Sequence, residues 1–216
     1  MNRGYLLGLM PLFLGNNSAP MEGFRVAEKA VINKKIFKEL PTLETERLIL
    51  RKIQPNDMEE LNTLLADEDI TKWLGINVHK SNEDTKEFIE DVIQHAASES
   101  PNPWGLVHKK DNKLIGYAGF CSVDSVGTAM IWYAVLKHYW GQKLAPEALK
   151  KIIDCGFHDI NFNRIEGYSI LKNDRSSRVM EKCGMVYEGT LRECGYVNGG
   201  YCTSKLYAIL KKDSLK

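Results

Sequence analysis

The sequence predicts a mixed α/β (α+β) fold, and three observations carry that prediction. Strand-like runs follow one another through the middle of the chain, a long amphipathic helix then leads into a further strand, and the closing strand pair is joined by an Asn-Gly turn. At 216 residues the chain is one domain's worth on a prior of roughly 100 to 200, so its core needs no disulfide or metal staple. Apolar residues make up 44% and charged residues 26%, which excludes a disordered tail or a membrane bundle. The 29 basic and 28 acidic residues leave a formal net charge of +1, which removes the electrostatic case for a nucleic-acid protein. Five cysteines without a C-x-x-C pair, one at least unpaired, fit free thiols in a reducing cytosol.

Residues 1–40 read as an extension. Met1-Asn2-Arg3 precedes an apolar run from Tyr5 to Leu14, then Gly15-Asn16-Asn17-Ser18-Ala19-Pro20. The run is too short for a bilayer of ~30 Å, which takes about 20 helical residues. It has the outline of a signal peptide, but the thiols downstream argue against export. Packing on the domain, fraying, and a start at Met21 all stand open.

From Leu40 the pattern turns regular. Arg47-Leu48-Ile49-Leu50-Arg51 alternates as a strand, and Pro55-Asn56-Asp57-Met58 opens a helix with Met58, Leu61, Leu64 and Leu65 on one face. Ser81-Asn82-Glu83-Asp84 starts a second helix, with Phe88, Ile89, Val92 and Ile93 aligned. Trp104 to His108, Lys113 to Cys121 and Thr128 to Leu136 form an antiparallel meander, its first turn being Lys109-Lys110-Asp111-Asn112. A long helix from about Ala145 to Ile160 tolerates Pro146 in its first turn. Strand Arg164 to Leu171 follows, then Asn173 as an N-cap, a short helix with Val179, Met180 and Cys183, and Gly184 as its stop. Met185 to Glu193 and Tyr201 to Leu210 close the chain around Val197-Asn198-Gly199-Gly200.

Val135 to Leu149 runs as strand end, tight loop and helix start. Backbone N–H groups and the dipole at a helix N-terminus favour a phosphate. Residues 137–151 set Lys137, Lys143, Lys150 and Lys151 against Glu147 alone. An ordinary strand-loop-helix with solvated lysines would read the same, so this segment alone leaves both readings open.

Co-occurrence adds to it. Thr45-Glu46-Arg47-Leu48-Ile49-Leu50-Arg51, Tyr139-Trp140-Gly141-Gln142-Lys143-Leu144-Ala145-Pro146-Glu147-Ala148-Leu149, and Asn173-Asp174-Arg175-Ser176-Ser177-Arg178-Val179-Met180-Glu181-Lys182-Cys183-Gly184-Met185 with Glu188-Gly189 resemble the GNAT superfamily of N-acetyltransferases. Within it the RimJ/RimL-type branch, which acetylates ribosomal-protein N-termini, is the nearest likeness. The resemblance spans residues 41–212, leaving 213–216 as a tail. It implies a GNAT fold, with a mostly antiparallel mixed sheet of about six to seven strands, about four flanking helices, and a splay between two central strands.

What the resemblance implies for chemistry is acetyl-CoA held in that splay, between the strand ending at Val135-Leu136 and the one from Arg164 to Leu171. The loop Trp140, Gly141, Gln142, Lys143, Leu144 and Ala145 would hold the pyrophosphate, and main-chain groups of Val135 and Leu136 would pair with the pantetheine arm. Asn173 would bond the pantetheine region, and Ser176 would protonate the departing thiolate. Asn followed three residues later by Ser is also ordinary helix-start chemistry. Lys143 stands where the family expects glycine, a residue that permits close approach or positive φ. Pro146 deletes one N–H, and Met130, Gly195 and Thr203 occupy positions where relatives often place carboxylates, so an obvious general base is missing.

Direct transfer needs positioning and oxyanion donors more than a strong base when the amine is already neutral. An α-amine with pKa ~7.7 to 8.0 is roughly a tenth or more neutral at pH ~7, a lysine only about one part in 2,500. The expectation is therefore a cytoplasmic N-acetyltransferase acting on a protein or peptide N-terminal α-amine, with Tyr187 and Glu193 lining the acceptor cleft and Glu193 relaying a proton through water. Acceptors weighed are a ribosomal-protein N-terminus or a small-molecule amine such as an antibiotic, polyamine or amino acid. A catalytically weak acyl-CoA-binding module is the rival class. No histidine or cysteine spacing suggests a metal site, neither nucleic acid nor membrane is expected as a partner, and monomer or homodimer stays open.

Overall fold

The computed structural model describes residues 31–97, 99–197 and 199–214. The apolar run from Tyr5 to Leu14 and the alternative start at Met21 lie outside the described residues. In chain order the elements are α1 (Lys35–Glu39), β1 (Leu43–Glu44), β2 (Leu48–Arg51), α2 (Met58–Leu65), α3 (Glu68–Thr71), α4 (Asn82–Ala97), β3 (Pro103–His108), β4 (Lys113–Val123) and β5 (Thr128–Val135). They continue as α5 (Leu144–His158), β6 (Arg164–Ile170), α6 (Asp174–Lys182), β7 (Val186–Val197), β8 (Gly200–Leu210) and α7 (Lys211–Ser214). The strands form one sheet in the order β1-β2-β3-β4-β5-β6-β8-β7. Every neighbouring pair is antiparallel except β5 and β6.

That mixed, mostly antiparallel sheet is the expected architecture. It exceeds the expected six to seven strands by way of the two-residue β1, and the additional helices α1, α3 and α7 have four or five residues each. Elements that short carry no readable period. β7 outruns the expected Glu193 because two irregularities, at Tyr187/Gly189 and Leu191/Gly195, interrupt its alternation.

Side chains alternate across the sheet, so each face buries its own core. One face packs Ile131, Val135 and Ile165 against Leu149, Ile152, Ile153 and Phe157 of α5 and Met180 of α6. The other packs Tyr117 and Ala134 against Leu61, Leu64 and Leu65 of α2 and Phe88 and Val92 of α4. Phe37 of α1 is fully buried on the first face, its ring 6.4 Å from that of Phe162, and the Asn33 N–H donates to the Ile160 carbonyl at 3.0 Å. The part of the segment 1–40 that is described thus packs on the domain.

The site depends on how α6 and α5 begin and end. Asn173 Oδ1 accepts from the Ser176 N–H at 3.2 Å, capping α6. At its other end Gly184, at φ +82°, donates to the Glu181 carbonyl and Met185 to that of Met180, the paired bonds of a left-handed helix stop. α5 is tied down by Glu147. Its Oε1 accepts from Thr45 Oγ1 at 2.6 Å and the Arg47 N–H at 2.9 Å, and Oε2 accepts from Arg47 Nε at 2.7 Å.

Candidate active site

β5 and β6 are paired in parallel register only from Thr128/Arg164 to Met130/Glu166. Beyond that point β5 runs on to Val135 and β6 to Ile170 without a ladder between them, so two central strands diverge and leave their facing backbone groups open. The Leu136 N–H donates to the Ile115 carbonyl, on the β4 side, at 2.8 Å. By alternation Tyr133 and Val135 direct their main-chain groups toward the gap. The Val135 carbonyl there accepts from the Trp140 indole at 2.6 Å, which leaves the Val135 N–H and the Tyr133 groups on the open edge.

The gap opens into a cleft of about 600 Å³. Of the residues singled out by sequence, Val135, Trp140, Gly141, Lys143, Leu144, Ala145, Asn173 and Ser176 line it together. Leu136 and Gln142 do not, since Gln142 turns its side chain to the His138 carbonyl at 3.1 Å and its own carbonyl accepts from Arg47 at 3.0 Å. The loop reaches its shape through left-handed conformations at Gly141 (φ +80°) and Lys143 (φ +62°). Lysine thus adopts the conformation expected of the family's glycine, at a cost of about 1–2 kcal/mol for an L-residue. α5 starts directly after it, and the Leu144 and Ala145 N–H groups have no intrahelical acceptor by position.

Local charge is distributed differently from the simple count. Lys137 bonds Asp67 and Asp69 at 2.8 Å each, which ties the end of β5 to α3 instead of facing the loop. Lys143, Lys150 and Lys182 line a shallow hollow beside the cleft with no carboxylate within ion-pair distance of their amines among the described residues. Across the mouth the Arg175 guanidinium lies 4.7 Å from the centre of the Trp140 ring.

Inside the gap, Ser176 Oγ and Tyr133 Oη are 2.9 Å apart. Burial pushes the Tyr133 phenol far above its ordinary value, so it stays protonated, and its hydroxyl also lies within donating distance, 3.3 Å, of the Ser176 carbonyl. Tyr133 belongs to no local motif, because an aromatic in an alternating strand gives no sign of a hydroxyl partner on a helix beyond it.

Tyr187 and Glu193 do not join this constellation. β7 is separated from β6 by β8, so neither side chain is part of the cleft lining. Tyr187 is half-exposed, its hydroxyl 2.7 Å from Thr190 Oγ1, while Glu193 is exposed at φ +50° and its N–H donates to Thr203 Oγ1 at 3.3 Å. Glu166, which alternation in the sequence marks only as a strand position, pairs with Met130 where the two strands part.

The sequence profile of the acetyltransferase (GNAT) domain matches residues 47–186. The chain belongs to the GNAT acetyltransferase family. This GNAT enzyme is 29% identical over 175 residues to the "Uncharacterized N-acetyltransferase p20" of Bacillus licheniformis, covering 81% of this chain and 98% of that one. It is 28% identical to YdaF of Bacillus subtilis, named "Putative ribosomal N-acetyltransferase", over 78% of this chain and 93% of the other. Its fold matches the spermidine N-acetyltransferase of Vibrio cholerae, solved with CoA and spermine, at a TM-score of 0.70 and 20% identity, covering 80% and 100% of the two chains. Among the described residues no group of His, Cys, Asp and Glu side chains converges to hold a metal ion, and no helix is long and apolar enough to cross a membrane.

Proposed function

We propose that this enzyme transfers acetyl from acetyl-CoA to the N-terminal α-amine of a protein or peptide. The observation that carries the reading is the Ser176–Tyr133 hydroxyl pair beside the open edge of β5. The pantetheine arm pairs with the Tyr133 and Val135 main chain, and the amide of Asn173, whose oxygen is spent on the helix cap, keeps its N–H groups for the same arm. The pyrophosphate lies against the loop from Trp140 to Ala145, where helix N–H groups and Lys143 supply positive potential. The amine attacks the thioester carbonyl, and as the tetrahedral intermediate collapses Ser176 protonates the thiolate and draws on Tyr133.

The cleft supports an α-amine over a polyamine. None of its lining residues is aspartate or glutamate, whereas Arg175, Arg178, Lys143 and Lys182 are all present. A polycation would meet repulsion on entry, and an amine that is substantially neutral near pH 7 would not. The name of YdaF points the same way. The test is CoA release from acetyl-CoA with peptides bearing a free or a blocked α-amine, beside spermidine and an α-blocked lysine. The reading expects turnover confined to the free α-amine. Spermidine or lysine preferred over every peptide would move the assignment to a small-molecule or side-chain acceptor, and no CoA release with any amine would leave an acyl-CoA-binding module.

A further inference from the structure

The cleft has two sides because strand residues alternate. Ile131, Tyr133 and Val135 point toward α5 and α6, whereas Trp132 and Ala134 point toward α2 and α4. Ser176 and Tyr133 serve the first side. On the second, Ile70, Trp73, Leu74, Ile76 and Trp132 build an apolar wall with no ionisable group of their own. Acyl transfer to an amine also requires a group to take a proton, and β6 brings one to this side.

Along β6, Ile165, Gly167 and Ser169 are buried on the α5 side, which turns Arg164, Glu166 and Tyr168 to the other. Glu166 pairs with Met130 in the last register before the strands part. Tyr168 is the next residue on the same face and lines the cleft. Its hydroxyl donates to Glu166 Oε1 at 3.1 Å, while Arg164 Nε donates to Glu166 Oε2 at 3.1 Å. The remaining guanidinium nitrogens hold Glu188 at 2.9 and 2.6 Å. Glu166, with its side chain 19% exposed, therefore has one oxygen fixed by arginine and the other committed to a tyrosine that reaches the gap.

We propose that Tyr168 and Glu166 form the proton relay for the attacking amine, Tyr168 as the group that touches the substrate and Glu166 as the acceptor behind it. The relay rests on the acetyl-transfer reading but not on which amine is acetylated. The amine lone pair forms the N–C bond as the carbonyl electrons move to oxygen. The nitrogen then gives a proton to Tyr168 Oη while the Tyr168 proton passes to Glu166 Oε1. Collapse breaks the C–S bond, the thiolate takes its proton from Ser176, Ser176 regains one from solvent through Tyr133, and Glu166 returns one to solvent, so protons balance over the turnover. Burial and the Glu166 charge hold the Tyr168 phenol above its ordinary range, so it enters the step protonated, as a relay requires. Cys194 of β7 and Arg164 are the other titratable or charged groups acting on it. This places the acid on one side of the splay and the base on the other, a division of labour two opposed strand faces can hold without the groups neutralising each other.

The experiment measures kcat and kcat/KM against pH from 6.5 to 9 for wild type, Tyr168→Phe and Glu166→Gln, with acetyl-CoA and whichever amine wild type accepts best. Thermal unfolding with acetyl-CoA monitors folding and co-substrate binding in each protein. The relay predicts a kcat at least tenfold lower for both variants at pH 7, a gap that narrows toward pH 9 as hydroxide replaces the relay, and a wild-type thermal response to acetyl-CoA. A kcat within twofold of wild type across the range overturns it, as does a lowered kcat with an unaltered pH profile, which would mark Tyr168 as a positioning residue. If wild type itself releases no CoA with any amine, the acetyl-transfer reading falls and the relay with it, an outcome distinct from an active wild type with equally active variants.

Discussion

Ser176 shows how one position can be both structural and chemical, since its N–H completes the cap of α6 while its Oγ meets Tyr133 at 2.9 Å. Ser176→Ala keeps the N–H and so the cap, and removes only the hydroxyl. It should lower kcat by about 10²-fold, the low end for a positioned general acid, while the thermal shift caused by acetyl-CoA stays at the wild-type value. Equal turnover in steady-state assays would remove Ser176 from the mechanism. Lys143 makes an opposite pair of predictions. Glycine at φ +62° relieves a left-handed conformation costing about 1–2 kcal/mol, so Lys143→Gly should unfold at a higher temperature and yet show a higher KM for acetyl-CoA through loss of the charge at the cleft. Ser176 and Lys143 were legible because they sit in local motifs. Tyr133 and Glu166 were not, because their roles depend on partners across the splay and on which face of a strand each occupies, and two neighbouring core strands give no sign in sequence of where their ladder ends.

Between β2 and α5 the structure relies on Glu147, whose carboxylate gathers Thr45, the Arg47 backbone and the Arg47 side chain. Burial alone would push the Glu147 carboxyl up, but hydrogen bonds from Thr45 and Arg47 outweigh it and hold the group below its ordinary value. A carboxyl lowered in the folded state contributes stability above its unfolded pKa and loses it as pH falls through the folded one. Glu147→Gln should cost about 1–3 kcal/mol at neutral pH, and the difference from wild type should close in thermal unfolding below pH ~4. At this scale sequence was most informative where periods are long. The helices around Leu61, Val92 and Ile152 were readable within a residue or two and the pairing of β7 with β8 from its turn, whereas α1 and α3 were not. In β7 the irregularities at Tyr187/Gly189 and Leu191/Gly195 break the alternation, and the strand order puts β8 between β7 and β6. Tyr187 and Glu193 were therefore assigned to a cleft they do not line.

Across the whole molecule, two cores on opposite faces of the sheet clamp the diverging strands, α5 and α6 from one side and α2 and α4 from the other. The α2–α4 contact includes a buried polar chain in which His79 Nδ1 lies 2.9 Å from Thr85 Oγ1, and Thr85 Oγ1 donates to Asn62 Oδ1 at 2.9 Å. With that hydroxyl proton committed, His79 Nδ1–H is the donor in its contact. Burial lowers its pKa, partly opposed by Asp84, so the stability it contributes is present above the ordinary histidine value and declines as pH drops below it. The melting temperature should fall between pH 7 and 5.5, and His79→Asn should flatten that slope. On our proposal the splay between β5 and β6 is a working acetyl-CoA site despite Lys143 in its loop. Thermal unfolding with and without acetyl-CoA tests it most directly. A ligand at ~100 times its dissociation constant adds about 2.7 kcal/mol, and each kcal/mol moves Tm by roughly 2–4 °C at this size, so a rise of about 5–10 °C is predicted. An unmoved Tm at saturating acetyl-CoA would contradict the account and leave the fold without its co-substrate.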